Sequence, residues 1–376
     1  MKVLIVGAGI AGLALAKFLE KKADVLVIER SKNWKNIGFV LTLFPNGVQM
    51  LKKLGAESRL EKLTLKIPGT QVRGNNGETI CEIRFKELEK RYAPVLEIER
   101  EDLHNLMRTL NRRTKIKMNT TIKDVKETQE GIEVTFNTGR KKNFDIVVGA
   151  DGINSQLRKY IHPRTKKDYS GFTFWYAWCP KVFKFPKDTI TYLGDGKVVG
   201  VFPTKNKNHA AIYFTMPAHQ HQFEENWKNV DFLKRYFKDM GGDIPKILES
   251  LPEQDPTIYH HDDEEIHTYH WYKGRLVLIG DAAHALSPSL GMGASMALED
   301  AYVLAEEISK KEIPKAFKNY AQRRYPRVEF LARKSREIHL LMGIGFPLCR
   351  IRNILMKRIF FPKYLGMVTK LAKEDI

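Results

Sequence analysis

A chain of 376 residues with a 43% hydrophobic share is long enough for two domains, or for one α/β body with an inserted lobe. No stretch reaches the ~20 apolar residues of a membrane span, and Cys81, Cys179 and Cys349 are too far apart for a disulfide framework or a zinc site. The net charge of +19 is spread along the whole chain without a nucleic-acid motif, which predicts a lysine-rich cytoplasmic protein that does not bind nucleic acid.

Lys2 to Val6 is apolar and β-branched without a polar break, the pattern of a strand buried on both faces. Gly7, Gly9 and Gly12 follow, then apolar residues at helical spacing, then a second strand, Val25 to Ile28, ending on Glu29. In such a frame the first glycine makes a tight turn, the second admits a pyrophosphate against the backbone, and the third lets helix and strand pack. The helix start offers free N–H groups to the phosphates. A carboxylate at the strand tip accepts ribose hydroxyls and repels a 2′-phosphate, so the bound dinucleotide is FAD or NAD rather than NADP.

An extended stretch over Asn36 to Leu43 leads to a helix over Val48 to Leu54, and Leu65 to Phe85 reads as two strands joined at Gly74-Asn75-Asn76-Gly77. Glu99 to Leu110 is an amphipathic helix with acids near its start, and Lys115 to Asp145 a three-stranded meander. Phe144 to Val148 is a buried strand that ends in Gly149-Ala150-Asp151-Gly152. Aromatic-rich strands cover Phe172 to Phe185, Thr189 to Leu193, Val198 to Pro203 and His209 to Met216, before a helical stretch from Phe223 to Met240. A buried strand, Arg275 to Ile279, runs into Gly280-Asp281, and the rest is helical. This order predicts a dinucleotide domain interrupted by a sheet lobe whose aromatics wall a flat substrate.

Three stretches carry a family resemblance: the N-terminal glycines, Gly149-Ala150-Asp151-Gly152, and Gly280-Asp281 continuing through Pro288 to Gly291-Met292-Gly293-Ala294-Ser295. Together they resemble the FAD-dependent aromatic hydroxylases, the single-component flavoprotein monooxygenases of the p-hydroxybenzoate hydroxylase fold. The likeness is strongest to the urate and salicylate hydroxylase and the tetracycline-inactivating branches. The resemblance implies an α/β fold: a Rossmann-like, glutathione-reductase-type FAD domain (1–65, 95–168 and 262–335), an inserted β-sheet substrate lobe (66–94 and 169–261) and a helical C-terminal cap (336–376).

It further implies FAD held by Gly7, Gly9, Ala11, Gly12, Glu29, Arg30, Arg100, Asp151, Asp281, Pro288, Gly291, Gly293, Ala294 and Ser295. NAD(P)H is the transient reductant, and O2 the oxidant, of a hydroxylation through a flavin hydroperoxide. Phe172, Trp175, Phe202, His209 and Tyr213 are the expected substrate contacts, with His209 or Tyr213 able to deprotonate a phenol and Pro288 beside the reactive edge. By strand alternation His209, Ala211 and Tyr213 share one face, with Trp175 expected opposite. No metal site is expected, and the chain is a monomer or homodimer acting on a planar aromatic or polyketide-like molecule such as a tetracycline. An arginine near residue 209, expected for a urate-like anion, is absent. A flavin halogenase or isoprenoid-lipid reductase of the same fold is the alternative, and a non-enzymatic FAD-binding or lipid-surface protein a third reading. The basic tail, Arg350 to Lys373, is a cap over the substrate lobe or a weak contact with a membrane surface.

Overall fold

A computed structural model of the chain describes residues 1–34, 38–180, 187–206, 208–223, 230–251 and 258–373. Parts of three predicted elements, at Asn36, at the end of the Phe172 strand and early in the Phe223 helix, lie outside them.

A six-stranded sheet forms the body, in the order Tyr272–Lys273, Leu276–Leu278, Ile146–Gly149, Lys2–Val6, Asp24–Ile28, Lys115–Lys117. Its inner strands are parallel and level: Val6 pairs with both Ile28 and Gly149, and Gly149 with Leu278. That register brings Gly7, Glu29, Ala150 and Gly280 to one edge, since each directly or nearly follows a strand's carboxyl end, where open α/β sheets bind ligands. Ile10–Leu19 covers the sheet and packs against Gly293–Lys310 and Arg100–Leu110. The parallel pairing of Lys115–Lys117 with Asp24–Ile28 corrects the expected meander, which begins only at Ile122–Glu127.

A seven-stranded sheet makes the lobe, in the order Tyr259–Glu265, Asp168–Pro180, His209–Pro217, Val198–Pro203, Thr189–Leu193, Gly69–Arg73, Thr79–Arg84. The last strand of the lobe therefore runs through residue 261, where the sequence places a boundary. The far face of this sheet buries Trp175, Ala177, Phe214 and Val199 against the helices Val230–Phe237 and Ile244–Ser250. Its near face looks toward a small sheet of Val40–Leu43, Leu96–Glu99 and Leu65–Lys66.

Ile313–Met342, Cys349–Leu355 and Phe361–Lys373 complete the chain. The tail is tied to the lobe by the buried Arg352, which donates to the carbonyl oxygens of Gly194 (2.6 Å) and Ile344 (2.9 Å), and to the body by Arg327, which donates to Leu371 O at 2.9 Å. Among the described residues no helix is long and apolar enough to cross a membrane.

Candidate active site

Gly7 turns the chain at φ +105°, a conformation that favours glycine, and a Cβ there would overlap the carbonyl oxygen of Ala150. A Cβ on Gly12 would overlap Gly7 O, so this glycine is where helix meets strand. Gly9 differs: its φ of −76° suits any residue and its Cβ would meet nothing within 4 Å. It caps a helix that has neither a side-chain cap nor an acid in its first turn. The helix Gly293–Lys310 begins likewise, uncapped, without an acid, and with open space beside Gly293. Two bare positive helix ends face open ground where backbone N–H groups can meet anions.

The other expected cofactor residues lie along the same edge. Glu29 is held by Ala8 N (3.0 Å) and Ser31 N (2.9 Å), while Arg30 is exposed. Ala11 packs under Gly280, and Arg100 lies across Gly38, where a side chain would collide with its methylenes. Asp281 is open to solvent, yet desolvation by surrounding protein raises its pKa, opposed by the nearby charges of His284 and Arg100. It stands at the carboxyl edge of the parallel sheet, where open α/β sheets hold their ligand cleft. Asp151 accepts from Gln156 N at 2.7 Å through Oδ2, leaving Oδ1 buried without a partner. Gly291 takes φ +66° above Thr42, and Pro288 is exposed at the start of the turn Pro288–Leu290. Gly293 and Ala294 are part-exposed, whereas Ser295 is fully buried. Its hydroxyl accepts from Phe44 N at 3.2 Å, so what Ser295 offers at the helix end is backbone alone.

This cleft fits FAD: two uncapped helix ends and a glycine without neighbours suit its phosphates, Glu29 and Asp281 suit hydroxyl groups, and Asp151 Oδ1 is an acceptor still unpaired.

A buried ion cluster, invisible in the sequence, holds the Gly280-Asp281 turn. Asp300 accepts from Gly280 N (2.8 Å), His284 Nε2 (2.6 Å) and Arg324 Nε (2.7 Å). Glu299 takes Asn46 Nδ2 (2.8 Å), Arg327 (2.7 Å) and the second arm of Arg324. His284 thus serves the turn. Its cation partners hold the Asp300 carboxyl down at about 2.

Across the cleft stands an aromatic wall. Phe174, Tyr176, Trp178 and Tyr213 share the near face of the lobe sheet, because Tyr176 pairs with Tyr213 and Trp178 with Ala211. Phe39 stacks on Tyr176 (5.4 Å), Phe202 meets Tyr213 (5.6 Å), and Phe172 stacks on His339 (4.7 Å). The expectation for Trp175 is corrected: one position out of phase, it is fully buried on the far face against Phe223 and His260. The expectation for Tyr213 as a base is also corrected, since burial pushes its phenol to about 12 and keeps it protonated at neutral pH. His209 lies beside Trp178, its Nε2 3.2 Å from Glu99 Oε1.

Sequence reasoning missed His339, whose position on the last turns of a thirty-residue helix carries no local signal. Its Nε2 lies 3.1 Å from Ser287 Oγ, contacts Ser289 Oγ, and is 3.7 Å from Asp263 Oδ2. Burial lowers its pKa to about 4 and raises that of Asp263 to about 6, so the imidazole is neutral at pH 7.

Glu97 was missed as well. It is buried beneath Thr42, which donates to it at 2.8 Å, and desolvation raises its pKa from 4.5 to about 8. Ionising it therefore costs the folded state, and its contribution to stability falls as pH rises from 4.5 to about 8. Glu97→Gln is expected to flatten that part of the urea-midpoint profile and gain ~1–3 kcal/mol at pH 8. An unchanged slope would mean that the carboxyl is not buried as a neutral acid.

Comparison with known proteins agrees with this geometry. The family model described as "FAD binding domain" matches residues 1–335. The 2-heptyl-3-hydroxy-4(1H)-quinolone synthase of Pseudomonas aeruginosa is 31% identical over 338 residues, covering 89% of this chain and 88% of the relative. The crystal structure of Klebsiella pneumoniae HpxO complexed with FAD and uric acid superposes with a TM-score of 0.87 at 24% identity, covering 99% of this chain and 96% of that one. The tetracycline destructase Tet(51) superposes with a TM-score of 0.76 at 22% identity, covering 100% and 99%. The chain belongs to the FAD binding domain family, in its FAD-dependent aromatic hydroxylase branch, and is an FAD-dependent monooxygenase of the class that draws electrons from NAD(P)H.

Proposed function

We propose that the enzyme hydroxylates an uncharged, planar aromatic or heteroaromatic molecule with an apolar substituent, of the 4-quinolone kind. The observation that carries this is the wall itself. From Phe172 to Trp178, and on the facing positions of the strands Val198–Pro203, His209–Pro217 and Tyr259–Glu265, the near face presents aromatic, small and histidine side chains and one buried acid, Asp263, but neither lysine nor arginine. A substrate carrying a fixed negative charge would be desolvated there without a partner, at a cost of several kcal/mol. A neutral ring system instead gains from apolar burial and ring stacking. The heptylquinolone named for the Pseudomonas relative has this chemistry.

Bound FAD supplies the redox chemistry, accepting hydride from NAD(P)H and activating O2. The chain's own residues do the rest. Gly7, Gly9, Gly12, Arg100 and the bare helix ends bind and orient the phosphates, Asp151 holds the loop through the Gln156 amide, and Asp281 and Glu29 take hydroxyls. Gly291, Gly293 and Ala294 set a positive helix end beside Pro288, where negative charge is stabilised. The aromatic wall excludes water. His209 Nδ1 takes the proton from an ionising ring O–H or N–H, while its Nε2–H is held by Glu99, which stabilises the imidazolium that forms. Tyr213 stays a hydrogen-bond donor.

The test is substrate-stimulated NADH and NADPH oxidation over a panel of 2-alkyl-4-quinolones, urate, simple phenols and tetracyclines, with product masses. Stimulation and a gain of one oxygen are expected with the alkylquinolones, and none with urate. His209→Phe is expected to lower kcat/KM on the same substrate by ~10²-fold or more while FAD stays bound. Preference for tetracycline would restore the polyketide reading, halide-dependent products would point to a halogenase, and preference for urate would overturn the argument from a wall without cations.

A further inference from the structure

Six of the large apolar side chains exposed among the described residues lie between 340 and 359: Leu340 (75%), Phe346 (83%), Leu348 (51%), Ile351 (55%), Ile354 (56%) and Ile359 (47%). Isolated exposed apolar residues need no explanation, but a contiguous set does. Ile351, Ile354 and Ile359 recur at helical spacing through Cys349–Leu355 and the following turn, on the face opposite the buried Arg352, Met356 and Phe360. The inner face is thus already committed to the lobe, and the outer face is apolar and exposed among the described residues. Beside it a cleft of about 340 Å³ opens between the helices Ile313–Met342 and Phe361–Lys373, lined by Leu340, Leu341, Leu355, Ile359 and Met367 among others.

Charge selects the occupant. From Ile338 to Lys373 the sequence carries seven Lys and Arg and no Asp or Glu. All but Arg352 are exposed, and Arg350, Lys357, Arg358 and Lys363 fall in the same stretch as the exposed apolar residues. The acids beside them are few and engaged, Glu337 with Lys334 and Asp195 with Phe346 N, and aliphatic residues flanked by an excess of cations match the boundary between acyl chains and anionic headgroups. A protein partner would supply acids to match these cations and would be met by some polar groups at the centre, whereas the patch centre is wholly aliphatic or aromatic.

We propose that residues 340–363 dock the enzyme on an anionic lipid bilayer. Leu340, Phe346, Leu348, Ile351, Ile354 and Ile359 enter the headgroup–acyl boundary and the four exposed cations meet lipid phosphates. Because the docking face adjoins the cleft and the tail helix that packs near Glu97, it would also place a lipophilic substrate's reservoir beside the lobe.

Purified full-length holoenzyme is mixed with vesicles of phosphatidylcholine alone, or with a third of phosphatidylglycerol, and the bound fraction is read by co-sedimentation. Binding to the anionic vesicles is expected to exceed that to neutral ones by ~10²-fold at low salt and to weaken at 0.5 M NaCl. A variant with Ile351→Ser, Ile354→Ser and Ile359→Ser should lose binding while its FAD spectrum and unfolding midpoint stay unchanged, since all three side chains point to solvent. Arg350→Gln with Arg358→Gln should lose only the preference for anionic vesicles. Failure to bind either vesicle overturns the proposal, as does a salt-insensitive binding that the triple variant retains. Sedimentation velocity in the absence of lipid supplies the remaining outcome: a dimer abolished by the triple variant, with no vesicle binding, would assign the face to a second copy instead.

Discussion

Arg324→Met is expected to destabilise the protein by about 3–5 kcal/mol and to empty it of FAD. The Arg324 guanidinium is completely buried and donates to Asp300, Glu299 and the carbonyl oxygen of Met296. Methionine matches its stem but leaves Asp300 with only His284 and the Gly280 amide, and takes from Glu299 one of its two arginines. Each carboxylate would then have to stay charged and under-compensated or take up a proton, and a protonated Asp300 releases the Gly280 amide or His284. Gly280 stands at φ +59°, directly before Asp281, so slack there reaches a cofactor contact at once. Acid behaviour follows the same linkage. The Asp300 pKa is depressed to about 2 from an ordinary 3.8, so the stability it contributes is full above 3.8 and lost only as pH falls through 2. In the variant that loss should begin at higher pH. Urea unfolding at pH 7 and pH 4, with flavin absorbance as a second readout, measures both effects. A change below ~1 kcal/mol would mean that the cluster only balances its own desolvation, as buried ion pairs often do.

The legible and illegible parts of this chain divide along physical lines. The dinucleotide turn was readable because backbone geometry restricts residue choice: Gly7 sits at positive φ and Gly12 has no room for a methyl, so glycine is forced at both. The lobe's strands were readable for their length and aromatic content, but not their phase. Phe172-Thr173-Phe174-Trp175-Tyr176-Ala177-Trp178 places aromatics on both faces, and only the helices packed behind Trp175 decide which face is core. Lys115–Lys117 was misread because a three-residue edge strand has no periodicity of its own; its parallel partner decides. The ion cluster joins Asn46, Glu299 and Arg324, and nothing local marks acids on one helix as partners of an arginine on the next. His339 and Glu97 gain their meaning from burial, which no short window contains. Charge behaved in the same way. A scattered +19 read as a solvated surface, while the acid-free stretch from Ile338 to Lys373 becomes a feature only when its apolar partners are found exposed beside it.

The two outer glycines of the fingerprint are forced by the fold; Gly9 is not, and that difference makes the sharpest test of the cofactor site. Gly9→Leu is expected to fold with an unfolding midpoint within about 0.5 kcal/mol of the parent, because its φ of −76° and ψ of −172° are extended backbone open to any residue and no atom lies within 4 Å of the new Cβ. Loss of glycine's unfolded-state freedom even favours the folded state slightly. The same side chain fills the ground in front of the first helix's free N–H groups, so FAD affinity should fall ~100-fold or more, about 2.7 kcal/mol. Gly12→Ala should behave in the opposite order. Its methyl overlaps the Gly7 carbonyl oxygen, forcing helix and turn apart at about 1–3 kcal/mol before any ligand is added, with cofactor loss as a consequence of the displaced turn. Equilibrium binding of FAD by protein-fluorescence titration, paired with urea unfolding of the same apoproteins, separates the two. If Gly9→Leu kept parental FAD affinity, the pyrophosphate would not approach the backbone there, and the glycine would be an accident of the loop. If it lost stability as well as affinity, the open space beside Gly9 would be filled by the chain itself in solution, and the anion site would have to be sought at the second bare helix end, at Gly293.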